Sequence, residues 1–340
     1  MNLLNATGMA AGYTLGCKPD GRESVVVVVK GTFAIPEPGG EPHLHDQQVP
    51  LVDADTFTGE PGFSAPVYES DYALFKPRCD VLLNGSAYAP GGRPGQSVMV
   101  ALKIGPITKS FRVVGDRVWQ QGMAGFAAST PEFFRVKRIS YDNAFGGVDG
   151  TNSDPNKHRW YPTNHAGVGY HHSLSLDAVV GKPLPNTEEA DNPVTSPRGN
   201  YRPMAFGPIG RSWSPRPKYA GTYDQNWIDN VFPFLPADFK EDYYQAAPPD
   251  QQMPHLLGGE EVTLINLTPE GETTFALPTI AVPIEFTDAS HEQVEKIAVI
   301  DTIIIEPDER RFGLVWRASL PLKRNILEMR QVVAGRMSRA

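Results

Sequence analysis

Five consecutive valines at residues 25–29 constrain the fold more than any other stretch of this 340-residue chain. Valine is β-branched and favours extended backbone, and the run shows no alternation of apolar and polar side chains. A strand of this kind is expected to be covered on both faces and to lie centrally in its sheet. The turn residues Pro-Glu-Pro-Gly-Gly at 36–40 end it. The run therefore predicts a layered fold built around an apolar strand.

Strand and turn patterns recur near both ends of the chain. Runs rich in valine, isoleucine, threonine and aromatic residues alternate with clusters of glycine, proline and aspartate. The predicted strands cover residues 12–17, 24–35, 79–85, 97–104, 108–114, 134–141, 262–267, 273–277, 280–286, 297–305 and 312–320. Short strands at this spacing are typical of two packed β layers. We therefore predict a mainly β fold, with an antiparallel β-sandwich-like scaffold.

The middle of the chain lacks this periodicity. Residues 181–254 contain 13 prolines together with two tryptophans, five tyrosines and four phenylalanines. Disordered segments are poor in aromatic residues, and a structureless loop of this length is unusual in a compact domain. We therefore expect a long, ordered, irregular lobe that is rich in proline and aromatic residues.

The two patterns together predict the domain organisation. We expect one mainly β domain over residues 1–320, strand-rich at 10–140 and 260–320, with the irregular lobe at 141–259. Residues 321–340 are predicted to form a C-terminal basic helix. Leu327, Val332 and Val333 would form its apolar side, and lysines and arginines its polar side.

Charge and composition exclude several classes of function. The net charge of −8 disfavours binding to nucleic acid through a general basic field. Cys17 and Cys79 are too few for a disulfide framework, and we expect both to be reduced. No stretch is apolar for long enough to cross a membrane, and residues 1–16 lack the features of a signal peptide. We expect a cytoplasmic protein with neither a membrane nor a nucleic acid as its partner.

The strand at 134–141 leads into a glycine-rich motif. Two adjacent glycines, where the backbone needs a positive φ or close approach of another segment, follow the strand. The predicted structural motif comprises Tyr141, Phe145, Gly146, Gly147, Asn164, Gly167 and Gly169. The sequence changes at this point from strand after strand to the irregular lobe.

Histidines offer two candidate metal sites, and neither is favoured. His43 and His45 would share one face of a strand, but no third ligand lies nearby in the sequence. A second group comprises His158, His165, His171 and His172. No cysteine or carboxylate stands beside that group at ligand spacing, and polar loop residues are the simpler interpretation. We predict no metal and no cofactor.

Recognised catalytic signatures are missing from the sequence. It has no nucleophile elbow, phosphate loop or dinucleotide fingerprint. The aspartates Asp142, Asp149, Asp224 and Asp238 offer carboxylates for glycoside hydrolysis, but each stands at a predicted turn or helix cap. The residues therefore favour a binding protein over an enzyme, and they identify no partner.

A set of ordered sequence blocks resembles a known bacterial family. The blocks lie at residues 68–72, 76–77, 80–81, 85–92, 114–119, 141–147, 161–164, 167–169, 184–186, 205–208, 213–216, 220–224, 227, 232–233, 235–239, 247–252, 258–260 and 301–302. They resemble the bacterial domain-of-unknown-function family 2169 over residues 10–320. His165 and Cys79 depart from it, standing where the family usually has proline and threonine.

The resemblance implies a function in type VI secretion. It implies a non-enzymatic adaptor or chaperone that binds a toxic effector protein and assists its loading onto the spike. The spike partner would be the valine-glycine-repeat (VgrG) trimer or its PAAR-repeat tip. The resemblance implies no cofactor and supplies no binding residues.

Our candidate partner-binding residues come from the composition of the lobe. Binding energy at interfaces concentrates in tryptophan, tyrosine and arginine, and the lobe holds Trp213, Arg216, Tyr223 and Trp227. An alternative interpretation is a carbohydrate-active or carbohydrate-binding β protein. It would use Asp142, Asp224 and the aromatic residues of the lobe.

Overall fold

The computed structural model describes residues 1–18, 20–123, 125–323 and 325–335, and the backbone of 338–339. In chain order the strands of these residues are β1 (Asn2–Asn5), β2 (Ala10–Cys17), β3 (Glu23–Ala34), β4 (Thr56–Phe57), β5 (Pro66–Tyr68), β6 (Cys79–Leu83), β7 (Ser86–Tyr88), β8 (Ser97–Ile104), β9 (Ile107–Val114), β10 (Trp119–Gly122), β11 (Gly125–Ala128), β12 (Val136–Arg138), β13 (Phe145–Gly146), β14 (Val148–Asp149), β15 (Arg159–Trp160), β16 (Val168–Gly169), β17 (Thr187–Glu188), β18 (Gln252–Met253), β19 (Glu261–Ile265), β20 (Glu272–Ala276), β21 (Ile280–Ala281), β22 (Pro283–Asp288), β23 (Gln293–Ile297), β24 (Val299–Glu306), β25 (Arg311–Pro321), β26 (Met329–Ala334) and β27 (Ser338–Arg339).

Helices are few and short in the described residues. The α-helices are α1 (Leu176–Val179) and α2 (Gln225–Asn230). Short 3-10 helices lie at Pro90–Gly92, Tyr141–Asn143, Pro155–Lys157, Arg216–Tyr219, Glu241–Tyr244, Pro249–Gln251, Pro307–Glu309 and Ile326–Glu328. No helix in these ranges has the length and apolar character needed to cross a membrane. The predicted mainly β class is confirmed.

The valine strand lies inside the largest sheet. Its order is β18-β6-β24-β25-β3-β2, so β3 has a neighbour on each side. Val25, Val27 and Val29 face the main core, and Val26 and Val28 belong to a second buried cluster on the other face. All five valines have no exposed surface. The prediction of a central strand covered on both faces is confirmed.

A five-stranded sheet completes the two-layered scaffold. Its order, β17-β9-β8-β19-β20, joins strands from the first and last thirds of the chain and adds the short β17 from the middle third. The phenyl ring of Phe312 lies between Phe33, 5.4 Å away, and Phe275, 5.1 Å away. Because Phe33 and Phe312 belong to the large sheet and Phe275 to the smaller one, this stack joins the two layers. A third sheet, β1-β26-β22-β23, shares the same core.

The irregular lobe has its own buried cluster. Residues 141–259 contain only short strands and short helices, yet Phe145, Tyr161 and Tyr201 are all buried. The Phe145 ring lies 4.9 Å from each of the two tyrosine rings. Dense aromatic packing therefore replaces regular secondary structure there, and the predicted ordered lobe is confirmed.

The predicted C-terminal helix is wrong. A single 3-10 turn at Ile326–Glu328 is followed by β26, which pairs parallel with β1 and antiparallel with β22. Val332 and Ala334 are fully buried, Val333 is half-buried between them, and Leu327 is exposed. This alternation has the period of a strand, and two adjacent β-branched valines favour a sheet. Residues 324, 336, 337 and 340 of the predicted helix lie outside the described residues.

Candidate partner-binding surface

The two adjacent glycines of the predicted motif need the conformational freedom of glycine. Gly146 has a φ of +153° and Gly147 a φ of +104°. A Cβ atom on Gly146 would clash with the carbonyl oxygen of Asn164, and one on Gly147 would clash with that of Gly167. Only a backbone without side chains lets the segments 144–147 and 164–169 lie this close.

Asn164 holds the same segments together from inside. Its side chain is fully buried, and its amide donates hydrogen bonds to the carbonyl oxygens of Tyr141, at 2.8 Å, and Phe145, at 3.1 Å. The Gly147 N–H donates to the Asn164 carbonyl at 2.9 Å. Next to them β13 pairs in parallel with β16, which contains Gly169. The structure thus brings all seven predicted motif residues into one packed unit.

Two of the four predicted partner-binding residues lie inside the lobe. Trp213 is 3% exposed, and its ring meets the edge of Tyr141 at 5.5 Å. Arg216 is 2% exposed and donates to the carbonyl oxygens of Ile209, at 2.9 Å, and Tyr243, at 2.8 Å. These side chains hold loops of the lobe together, and a partner on the surface would not touch them.

Tyr223 and Trp227 lie together at the surface. Their rings are 4.8 Å apart, and Trp227 also meets Phe232 at 5.5 Å. Ile228 and Phe234 expose their side chains beside them. We call Tyr223, Trp227, Ile228, Phe232 and Phe234 the aromatic knob. Phe232 is 66% exposed, so this apolar cluster faces solvent rather than the core.

Polar residues fix the shape of the aromatic knob. Asp224 caps α2 by accepting a hydrogen bond of 2.9 Å from the Trp227 N–H. The Trp227 indole N–H donates to the Phe234 carbonyl at 2.9 Å. Asp238 accepts from the Thr222 N–H at 2.9 Å and from its hydroxyl at 2.7 Å, which closes the loop. These hydrogen bonds lower the pKa of the Asp238 carboxyl. The knob is therefore a small structured loop.

The other two candidate carboxylates also have structural partners. Asp142 accepts hydrogen bonds from the Ala65 N–H at 2.8 Å and the Thr58 hydroxyl at 2.7 Å. Asp149 accepts from the backbone N–H groups of Ser173, at 2.5 Å, and Thr151, at 2.9 Å. Burial raises the pKa of Asp149, but its hydrogen bonds outweigh burial and leave the pKa lowered. The roles expected of turn aspartates account for both.

The histidines are dispersed among different contacts. The Nε2 atom of His158 lies 3.0 Å from the Asn152 carbonyl oxygen. His165 lies between the rings of Trp160, at 5.5 Å, and Trp213, at 6.2 Å, and burial lowers its pKa. Within the ranges that the structure describes, no group of three histidine, cysteine or acidic residues is arranged to hold a metal ion.

Sequence reasoning missed a buried charged centre beneath the lobe. Asp80 is fully buried in β6 and forms an ion pair of 2.7 Å with Lys76. It also accepts hydrogen bonds from the side-chain amide of Gln245, at 2.6 Å, and the backbone N–H groups of Ala246, at 2.8 Å, and Ala247, at 3.1 Å. Burial lowers the pKa of Lys76, but nearby carboxylates outweigh burial and leave it raised. The sequence did contain one sign of this centre, because Asp80 is a single aspartate inside an apolar strand and a buried charge needs partners.

A bacterial family model matches most of the chain. A family model described as "Uncharacterized protein conserved in bacteria (DUF2169)" matches residues 20–317. That range contains the large sheet's valine strand, the glycine motif and the aromatic knob. No curated protein and no solved structure matches the chain. Since the match spans most of the sequence, the chain belongs to this uncharacterized bacterial family.

Proposed function

We propose that the protein is a non-enzymatic adaptor or chaperone of type VI secretion. It would bind an effector protein in the bacterial cytoplasm and assist its loading onto the VgrG spike or the PAAR tip. The aromatic knob is the observation that carries the binding function. The assignment to type VI secretion is supported by the resemblance of the ordered sequence blocks.

The composition and rigidity of the aromatic knob suit reversible protein binding. Tyr223 and Phe232 present large exposed apolar faces with few rotatable bonds, so ordering them against a client costs little conformational entropy. Internal hydrogen bonds already hold the loop, which lowers this cost further. A loading factor must later release its client, and a few strong anchors on a small surface allow that.

Trp213 and Arg216 would contribute to binding only indirectly. Arg216 forms an ion pair of 2.5 Å with Glu69 and bonds to the Tyr243 carbonyl. The 3-10 helix Arg216–Tyr219 begins at this arginine and leads directly to the knob loop. Replacing Arg216 would therefore loosen the base of the knob, whereas replacing Phe232 would remove a contact with the client.

The carbohydrate interpretation has weaker support. Asp224 caps the helix of the knob, and Asp142 holds two loops by accepting hydrogen bonds. A hydrolase would need these carboxylates to face a substrate. Their existing partners leave the alternative without a specific observation in its favour.

A pull-down from cells that carry the complete secretion cluster tests the proposal. Tagged wild-type protein is expected to capture the effector encoded beside it, and mass spectrometry would identify the captured proteins. The double variant Ile228→Ser/Phe232→Ala should capture much less of it.

Phe133→Ala is the matched control for this experiment. Phe133 is 69% exposed, close to the 66% of Phe232, but it lies outside the aromatic knob. Capture by this variant should equal that of the wild type. If no effector or spike component is enriched with folded wild-type protein, the adaptor proposal fails.

A further inference from the structure

An open groove of about 780 Å³ follows the outer edge of the five-stranded sheet. It is lined by β20, by the loop 36–40 that follows β3, and by residues 307–310 around a 3-10 helix. The groove involves none of the residues of the aromatic knob. It therefore offers a separate surface, with its own geometry and charge.

The β20 edge exposes unpaired backbone groups to this groove. Within the described ranges, β20 pairs only with β19, and the Leu277 N–H donates to the Glu260 carbonyl at 2.9 Å. Hydrogen-bonded pairs alternate in an antiparallel ladder, so every second residue of β20 turns its N–H and C=O away from β19. These residues are Glu272, Thr274 and Ala276. In the described parts of the chain, their outward N–H and C=O groups have no backbone partner.

The sandwich core fixes the distance between β20 and the loop 36–40. The stack of Phe33, Phe312 and Phe275 joins the strand before the loop to β20. The Ile35 N–H donates to the Arg310 carbonyl at 2.8 Å, which fixes the start of the loop. The groove is thus formed by rigid elements, which limits the entropy lost when a ligand binds.

The groove carries an excess of negative charge. Its lining includes the carboxylates of Glu37, Glu261, Glu270, Glu272 and Asp308, and the single guanidinium of Arg310. Arg310 pairs with Glu37 at 2.8 Å and with Glu270 at 3.1 Å. Among the described residues, neither Glu261 nor Glu272 has an ion-pair partner, and both are exposed. We call this surface the acidic groove.

We infer that the acidic groove binds an extended segment of a partner protein, rich in lysine or arginine, as an added strand on β20. The outward N–H and C=O groups of Thr274 and Ala276 would bond the backbone of the segment. Its cationic side chains would meet Glu261 and Glu272. Natural edge strands are commonly protected by lysine or proline, and the sequence Glu-Thr-Thr-Phe-Ala of β20 has neither.

The test uses a short fluorescent peptide of alternating lysine and valine, and fluorescence anisotropy measures its binding to the full-length protein. Two control peptides separate the contributions. One carries N-methyl groups on alternate amides and so loses backbone donors; the other has glutamate in place of lysine. This assay needs neither an effector nor a spike protein, so its result is independent of the adaptor proposal.

Protein variants locate the peptide. Thr274→Pro removes an outward N–H from the edge of β20, and Thr274→Val keeps it as the matched control. Glu261→Gln/Glu272→Gln removes two carboxylates without touching the backbone. Circular dichroism and thermal unfolding check that each variant is folded.

We expect saturable binding that weakens about tenfold with Thr274→Pro and with the double glutamine variant. Thr274→Val should remain within about twofold of wild type, and both control peptides should bind at least about tenfold more weakly. Equal binding of the N-methylated peptide, or no saturable binding to wild type, would overturn the proposal. A dimer in solution that Thr274→Pro dissociates would also overturn it, in favour of a second copy on the edge.

Discussion

The buried amide of Asn164 donates a hydrogen bond of 2.8 Å to the carbonyl oxygen of Tyr141, which lies 23 residues earlier in the chain. The same amide bonds the Phe145 carbonyl, so one side chain satisfies two buried acceptors of the glycine motif. Unsatisfied buried polar groups are costly, and this asparagine therefore has a structural function that a smaller residue cannot supply.

Replacing Asn164 should destabilise the fold. We expect Asn164→Ala to lower the free energy of unfolding by about 2–4 kcal/mol. The buried Phe145 carbonyl loses its hydrogen bond from the amide, the Tyr141 carbonyl keeps only that from the Ala144 N–H, and a cavity remains. Urea denaturation would measure the change. Asn156→Ala, at an exposed turn, is the control and should stay within about 0.5 kcal/mol of wild type. Similar losses for both variants would contradict this role of Asn164.

A second prediction concerns the close approach of the Gly146 backbone to the Asn164 carbonyl. A side chain there meets the Asn164 carbonyl at a φ that L-residues rarely adopt, so Gly146→Val should cost about 1–3 kcal/mol or more. Gly59→Val is the comparison, because Gly59 has no positive φ and its nearest neighbour would be at an ordinary 3.5 Å. Thermal unfolding should separate the two variants. Equal melting temperatures would show that the segments are not tightly packed.

The buried ammonium of Lys109 should make the free energy of unfolding depend on pH. Burial lowers the pKa of its ammonium to about 8, although it lies 3.3 Å from the Asp250 carboxylate. The unfolded chain keeps a higher pKa, so between pH 8 and about 10.5 the unfolded state binds more protons. This group therefore makes the folded state more stable as pH rises through that window.

Lys109→Met removes the titrating group and isolates its effect. We expect the stability of the wild type relative to this variant to increase by about 2 kcal/mol between pH 7 and pH 10. Denaturation curves at both pH values would measure the difference. A constant difference between wild type and variant would show that Lys109 has an ordinary pKa.

Replacing Asp142 distinguishes an adaptor from a carbohydrate-active enzyme. Asp142→Asn removes the charge but keeps one oxygen that accepts hydrogen bonds, so we expect a folded protein that still delivers the effector. Killing of competitor cells would measure delivery, and thermal unfolding would check the fold. Loss of delivery by a folded Asp142→Asn variant would revive the carbohydrate-active alternative.

Strands with strong local signals were predicted accurately. The unbroken valines of β3 identified a buried central strand, and the predicted strands 97–104 and 108–114 correspond closely to β8 and β9, which pair with each other. The prediction of a C-terminal helix failed because a short stretch of sequence can fit both a weakly amphipathic helix and the alternation of a strand. Pairing with β1 and β22, which lie far away in the sequence, decides its conformation.

The sequence could not separate buried from exposed aromatic residues in the lobe. Trp213 and Trp227 each follow two polar residues in the sequence, yet Trp213 is in the core and Trp227 is in the knob. Burial in an irregular segment depends on contacts distant in sequence, such as that of Trp213 with Tyr141. The acidic groove could not be predicted from the sequence either, because its carboxylates come from three separate parts of the chain.

The central claim is that the aromatic knob binds the effector, and calorimetric titration of purified effector into the protein tests it most directly. We expect Ile228→Ser/Phe232→Ala to weaken binding by more than about 2 kcal/mol, which is more than about thirtyfold in Kd. Phe133→Ala should bind like the wild type. If the folded double variant binds the effector with unchanged affinity, the knob is not the binding surface and the account is contradicted.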